Sequence, residues 1–379
     1  MSESVPNSMN SIVPKQQGTK RTRDHDAEDG LPSSTTAPLL LPDEIMARVF
    51  SYLVTPDFPV AALVCKTWAS IVKKGLDGII VVRQTKDRDW VKMMVYSTKK
   101  DRWESLPKVS ALATNRSQMV RQGRHIYAVY RNSGEEGCST MRYDPYTGDQ
   151  LNLNFPPLKI LGPLCLTAVG TSLFLLSFDG TLWTNDLTQT KLEWKMGPQL
   201  PFLDRRAQSA AASLGGFVYV VGGRNGTRRM TGSVSVERYD PVSQLWEQIA
   251  PMNLRRYSTR VCTVGDFLYV VGGLREYKDN SAAPELSIEK YAPRENTWEI
   301  VTTMPTPRTH FCVAVVGQSI YVVGGISQGL LGDDYHNHKR MNLVEVFDTK
   351  SKIWTTGSAM PDTACFVYST QCASFARFD

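Results

Sequence analysis

From residue 39 to residue 75 the apolar positions recur at helical spacing. In LLLPDEIMARVFSYL, Ile45, Val49 and Leu53 fall at i, i+4 and i+8, with Met46 and Phe50 beside them. Pro42 suits a first helical turn, and Asp43 and Glu44 complement the positive end of the helix dipole. Pro56 and Pro59 break the pattern. A second stripe then runs through Val60, Leu63, Val64, Thr67, Trp68 and Ile71 and is closed by Lys73, Lys74 and Gly75. Two helices this short cannot enclose a core by themselves, so they need another surface to complete their burial. From about Gly78 the pattern changes to short apolar strands between turns, and no further helix is predicted.

Within that second region one unit recurs almost intact. LGGFVYVVGG ends at Gly223, VGDFLYVVGG at Gly273 and VGQSIYVVGG at Gly325. Each glycine pair is followed by a polar loop and then by an aromatic residue, a turn and a tryptophan, as in VERYDPVSQLW, IEKYAPRENTW and VEVFDTKSKIW. The interval from aromatic to tryptophan is seven residues in Tyr239–Trp246, Tyr291–Trp298, Phe347–Trp354 and Tyr96–Trp103. Degenerate copies lie around Tyr127 and Tyr143 and before Trp194. The tryptophan-equivalent positions are 103, 151 (a leucine), 194, 246, 298 and 354, spaced by 48, 43, 52, 52 and 56. A period of about 50 residues with four short strands per unit predicts a mainly β chain whose units are the blades of a propeller.

The recurring residues are read as builders of the fold. Paired glycines allow positive φ and close approach, which accounts for Gly222, Gly272 and Gly324, and the aromatic residues with Trp246, Trp298 and Trp354 pack blade against blade. Counting tryptophan positions predicts six blades. The first lacks its inner strands before Trp103, whereas the segment after Trp354 supplies short apolar strands. The ring is therefore expected to close by pairing C-terminal strands with an N-terminal half-blade, which removes open sheet edges.

Composition divides the chain further. Residues 1–38 are rich in Ser, Thr, Pro and charge, and the first aromatic residue is Phe50, so this segment is expected to be a disordered tail. Its Lys20, Arg21 and Arg23 are read as a solvated cluster rather than an import signal. The seven cysteines are scattered with no CxxC pair, which argues for reduced thiols rather than disulfides or a zinc site. Lys and Arg number 43 against 37 Asp and Glu, a net of +6. That excess lies wholly from Gly75 onward and is spread over loops, so no nucleic-acid footprint is expected. No membrane span or secretory leader is predicted, and the expected location is cytoplasmic, nuclear or both.

LPDEIMARVF, the proline-containing link and VCKTW resemble an F-box, the short helical motif that docks on the Skp adaptor of a cullin–RING ubiquitin ligase. Together with the repeats, which resemble kelch units, the ordered chain looks like an F-box/kelch-repeat protein. The domains are then a tail over 1–38, an F-box over 39–75 and a kelch propeller over 76–379. The resemblance implies that Leu41, Pro42, Ile45, Val49, Leu53, Leu63, Val64 and Trp68 face the adaptor or the motif's own core. It implies a substrate receptor with no catalytic residue and no cofactor, whose protein substrate is unidentified.

An arginine recurs ten residues after Trp246 and Trp298 and twelve after Trp194: Arg256, Arg308 and Arg206. All three keep one distance from their own glycine pair, so they belong to equivalent loops between blades. Arg116 is a looser fourth, and Arg205, Arg255, Arg224, Arg275 and His310 lie beside them or in loops expected on the same face. Guanidinium groups around one mouth of the ring suit carboxylates or phosphates on a partner. Inter-blade packing explains any single one of these arginines equally well; as a group they are expected to contact substrate. Replacing Arg206, Arg256 and Arg308 by alanine should abolish target capture and spare adaptor binding, whereas loss of both would show that these arginines hold the blades. The copy containing LKILGPL has no arginine and Ala364 takes the place after Trp354, so a cationic ring is incomplete.

The competing reading is a kelch scaffold or metal-dependent enzyme in which the helices are only structural. It rests on His336 and His338 with Asp333 and Asp334 in one loop, which is more simply a solvated insertion. No HExxH, GxSxG or P-loop is present, and no metal site is expected.

Overall fold

FVYVV, FLYVV and SIYVV are β-branched and aromatic, and each forms the second strand of a four-stranded sheet. A computed structural model describes residues 78–84, 91–105, 118–123, 125–131, 138–144, 149–156, 165–177, 179–189, 192–201, 207–225, 231–276, 282–327, 339–361 and 371–375. The predicted tail and both predicted helices, with Leu41 through Trp68, lie outside the described residues.

Among the described residues the chain forms six four-stranded antiparallel sheets and three two-stranded ribbons. With strands lettered a to d outward, blade 4 is Ala210–Leu214, Phe217–Val221, Val236–Asp240 and Leu245–Gln248. Blade 5 is Arg260–Val264, Phe267–Val271, Ser287–Ala292 and Thr297–Thr303. Blade 6 is Cys312–Val316, Ser319–Val323, Val344–Asp348 and Ile353–Gly357. The degenerate copies fold the same way: blade 2 begins at Gln118–Gln122 and blade 3 at Cys165–Val169. Innermost strands of successive blades lie side by side from blade 1 to blade 6, and that of blade 6 returns to blade 1. Six blades close one ring, the number that the tryptophan spacing predicts.

Closure combines both ends of the repeat region, although not as two halves. Gly78–Gln84, Val91–Ser97 and Arg102–Ser105 supply strands b, c and d of blade 1, and only the innermost strand, Gln371–Phe375, comes from the C-terminal segment. It pairs antiparallel with the first, from Gly78 opposite Phe375 to Val82 opposite Gln371.

Hydrophobic clusters fill the seams between blades. One joins Val221, Val236, Leu268, Val270 and Tyr291 across blades 4 and 5, and another joins Ile79, Tyr96, Cys312, Val323 and Val344 across blades 6 and 1. The tryptophans lock these seams through their indole N–H groups. Trp298 donates to Ala250 O at 2.8 Å, Trp246 to Pro198 O at 3.3 Å, Trp194 to Asn154 O at 2.9 Å and Trp354 to Thr302 Oγ1 at 3.1 Å. Trp103 donates to Ser358 O at 2.9 Å, so the closing seam uses the same contact. The rings of Trp103, Trp246, Trp298 and Trp354 also lie on the aromatic residue seven before each, with centroids 5.1 Å apart for Tyr96–Trp103 and 4.9 Å for Tyr291–Trp298.

The second glycine of each pair is required by space as well as by φ. Gly273 sits at φ +113°, and a Cβ there would lie 2.8 Å from the Tyr257 carbonyl oxygen. Gly273→Ala is expected to lower stability by about 1–3 kcal/mol, read as a reduced midpoint in thermal unfolding. An unchanged midpoint would show that the loop has room to shift.

Candidate binding face of the propeller

In an antiparallel blade the a–b and c–d turns share one end, and the b–c and d–a connections share the other. The second end is the elaborate one. After each glycine pair of blades 4, 5 and 6 the b–c connection rises as a ribbon: Arg224–Asn225 with Thr231–Gly232, Leu274–Glu276 with Ala282–Pro284, and Ile326–Ser327 with Lys339–Arg340. Isolated bridges Ala207↔Arg224, Tyr257↔Leu274 and Thr309↔Ile326 tie each ribbon to the d–a loop that carries the recurring arginine. The two loop families therefore form one face.

Two of the recurring arginines do not reach that face. Arg256 and Arg308 are fully buried, which overturns the expectation that they project toward a partner. Arg256 donates through Nη1 to Gly272 O and Ser287 O, each at 3.0 Å, and through Nη2 to Ser287 Oγ at 2.8 Å and Glu289 Oε1 at 2.6 Å. Arg308 repeats the pattern with Gly324 O at 3.1 Å, Leu343 O at 3.3 Å and the Glu345 carboxylate. Burial pulls both guanidinium pKa values down, and the facing carboxylates oppose that shift. Physically, the fork adds a donor to carbonyls where strands b and c part around the glycine pair, and the carboxylate neutralises its charge. Glu289 also accepts the Asn253 N–H at 2.7 Å and the Leu254 N–H at 3.3 Å, so each pair ties a d–a loop to the next blade.

A pattern in the sequence carries this pairing. Glu237, Glu289 and Glu345 stand two residues before Tyr239, Tyr291 and Phe347, in the three blades whose preceding loop holds the arginine. Where that loop lacks one, the same position is Met94 in blade 1 and Trp183 in blade 3. The glutamate accompanies only an arginine that keeps the fixed distance from a glycine pair; blade 2, preceded by the looser Arg116, has Met141 at this position. Arg206, Arg205 and Arg116 lie outside the described residues; Glu237, the carboxylate that corresponds to Arg206, is fully buried.

The other predicted residues sit higher. Arg255 is exposed, with Nη1 3.5 Å from Gly232 O. Arg275 is 48% exposed at its side chain and stands 4.0 Å from Glu285. Arg224 bridges blades 4 and 5, 3.4 Å from Glu276 with its Cζ 4.7 Å from the centre of the Tyr257 ring. His310 is half-buried at φ +56°, with Nδ1 3.0 Å from Thr309 Oγ1. The face thus presents Arg255 and Arg275 to solvent, Arg224 held in a bridge, and a rigid base of buried pairs. His336, His338, Asp333 and Asp334 lie outside the described residues, and among those described no three of His, Cys, Asp and Glu gather as metal ligands.

Comparison with known families agrees with this architecture. Residues 208–374 match the model described as the KLHDC2/KLHL20/DRC7 kelch-repeats domain, and residues 39–76 match the F-box-like model. The chain is an F-box/kelch-repeat protein. This F-box/kelch chain is 32% identical over 133 residues to human Kelch-like protein 23, covering 35% of this chain and 23% of that protein. Rat Kelch-like protein 38 is 26% identical over 196 residues, 49% of this chain and 32% of the relative. The F-box/kelch chain thus spans between about a quarter and a third of the length of these curated relatives. Among solved structures, one described as the structure of YjhT aligns with a TM-score of 0.46 at 14% identity, over 55% of this chain and 68% of that one.

Proposed function

We propose that this chain is the substrate-recognition subunit of an SCF-type cullin–RING ubiquitin ligase. The supporting observation is the domain order: an F-box-like segment at 39–76 followed by a kelch domain. Leu41, Pro42, Ile45, Val49, Leu53, Leu63, Val64 and Trp68 contact a Skp-type adaptor or build the F-box core. The propeller holds the protein to be ubiquitinated on its ribbon face, through Arg255 and Arg275 with Arg224 and His310 beside them. Ubiquitin transfer is the chemistry of partner subunits, and this chain supplies selection and positioning. Its work is placed in the cytoplasm, the nucleus or both.

The test is co-purification. Wild-type chain is expected to hold a Skp adaptor at equal stoichiometry, and the Leu41→Ala/Pro42→Ala variant is expected to lose it. Failure of the wild type to bind any Skp adaptor would end the ligase reading. Arg255→Glu/Arg275→Glu is expected to keep the adaptor and leave the melting temperature nearly unchanged, because exposed substitutions shift stability by about 0.5 kcal/mol or less. The same variant should lose the proteins that wild type captures from cells with cullin–RING ligases inhibited. Capture at the wild-type level would remove these two arginines from the substrate face.

A further inference from the structure

At the end of the ring opposite the ribbons, blades 4 and 5 share a solvent-side triplet that blade 6 lacks. In blade 4, Arg238 lies over the Phe217 ring, Cζ 4.5 Å from its centre, and pairs with Glu247 on the next strand. Blade 5 repeats this with Lys290, whose Nζ is 4.1 Å from the centre of the Phe267 ring and 3.1 Å from Glu299. Strand register identifies the corresponding residues of blade 6: Tyr321 opposes Val346 as Tyr219 opposes Arg238, and Val346 opposes Thr355 as Arg238 opposes Glu247. Aromatic, cation and acid have become Ser319, Val346 and Thr355.

Losing all three leaves space. A groove of about 510 Å³ opens there, lined by these residues and by Tyr321, Tyr96 and Asp101 across the seam with blade 1. Tyr219 and Tyr269 are buried under their triplets, whereas Tyr321 is left part-exposed. The aromatic framework behind is unchanged: Tyr321 and Tyr96 stand 6.1 Å apart at 61°, as Tyr219 and Tyr291 stand 6.1 Å apart at 60°. Charge changes in the same direction. Between blades 4 and 5 the turn residue facing this place is Asn296, whose Oδ1 accepts the Tyr291 hydroxyl at 2.8 Å and the Ala250 N–H at 3.0 Å. Between blades 6 and 1 the corresponding residue is Asp101, which accepts the Tyr96 hydroxyl and the Ser358 N–H at 2.7 Å. The Ser358 N–H, and then the Tyr96 hydroxyl, hold the Asp101 carboxyl below the usual carboxylate range, so it is ionised at neutral pH.

The seam has therefore lost its own cation, gained a carboxylate, and kept its tyrosine walls. We propose that the groove between blades 6 and 1 receives the cationic side chain of a basic segment of a partner protein, arginine or lysine, where Arg238 and Lys290 sit in the sister blades. The part-exposed Tyr321 ring and Asp101 stand in for the Phe217 or Phe267 ring and the Glu247 or Glu299 carboxylate, supplying cation–π and ionic contacts. This site lies on the face opposite Arg255 and Arg275 and does not depend on the ligase reading.

The full chain is titrated with a fluorescein-labelled pool of acetyl-X-X-Arg-X-X-amide peptides, X drawn from Ala, Ser and Val, alongside Lys and citrulline pools. Fluorescence anisotropy is expected to show the Arg or Lys pool binding at least tenfold tighter than neutral citrulline. Rebuilding the sister triplet with Ser319→Phe/Val346→Lys/Thr355→Glu is expected to cut that binding at least tenfold and keep a cooperative melt. Should the triple variant not fold, Val346→Lys alone, which places one ammonium in the groove, is expected to give the same loss. Equal binding of charged and citrulline pools, or undiminished binding by the folded variants, overturns the proposal.

Discussion

Replacing Arg256 by alanine is expected to destabilise the propeller by about 3–5 kcal/mol, because the change strands a buried carboxylate. Glu289 is fully buried, and the guanidinium is the cation facing it at 2.6 Å. The same change removes the guanidinium bonds to the carbonyls of Gly272 and Ser287, which flank the ribbon connection and keep the Thr259 hydroxyl and the Gly272 N–H, respectively, as donors. Arg308→Ala is expected to behave alike, since its contacts to Gly324, Leu343 and Glu345 repeat the arrangement. Urea unfolding followed by tryptophan fluorescence and circular dichroism measures the loss. Arg255→Ala, one residue away on the exposed side, is the control and should change stability by about 0.5 kcal/mol or less. Combining Arg256→Met with Glu289→Gln should recover part of the loss, because no charge is left buried and the amide oxygen still accepts the Asn253 N–H, while the Leu254 N–H, bonded to the other carboxylate oxygen, loses its acceptor. A stable Arg256→Ala variant that loses only target capture would restore the recognition role that the buried geometry removes.

Deleting residues 371–379 is expected to have the largest effect, the loss of cooperative folding altogether. Gln371–Phe375 is the innermost strand of blade 1 and neighbours the innermost strands of blades 2 and 6. Without it the edge of Gly78–Gln84 is unpaired and the ring is open at its narrowest part, and that exposed edge invites association. Size-exclusion chromatography should show the truncated chain as aggregate, and its thermal scan should lack a sharp transition. A monomeric truncated chain that melts within a few degrees of the full one would show that the remaining strands of blade 1 hold by side-chain packing alone.

How far the residues alone lead differs between scaffold and site. The six blades are legible because a tryptophan that reaches the outer strand of the blade before it fixes an aromatic pair at constant spacing in four repeats, and the degenerate two fall at the same period. The closing strand is legible in outline, since an open ring has no stable edge, yet the three-to-one division of blade 1 follows from where Gly78–Gln84 lies in the sheet. The arginines are the instructive case. A recurring cation in a loop has the same spacing whether it points outward or inward, and its direction is set by a partner 33 or 37 residues away in the chain, Glu289 for Arg256 and Glu345 for Arg308. The clue is the glutamate two before the strand-c aromatic, present in the three blades whose arginine keeps a fixed distance from a glycine pair.

By itself, the sequence determined the repeat, the number of blades, the glycine and tryptophan positions that build them, and the F-box-like segment ahead of them, because these depend on local spacing. Only the tertiary structure decided which arginines are exposed and where a groove remains. Both depend on residues brought together across strands and seams: Glu289 beneath Arg256, and Asp101 beside Tyr321, Val346 and Thr355. Burial and charge pairing are properties of that juxtaposition, which periodicity along one chain does not specify.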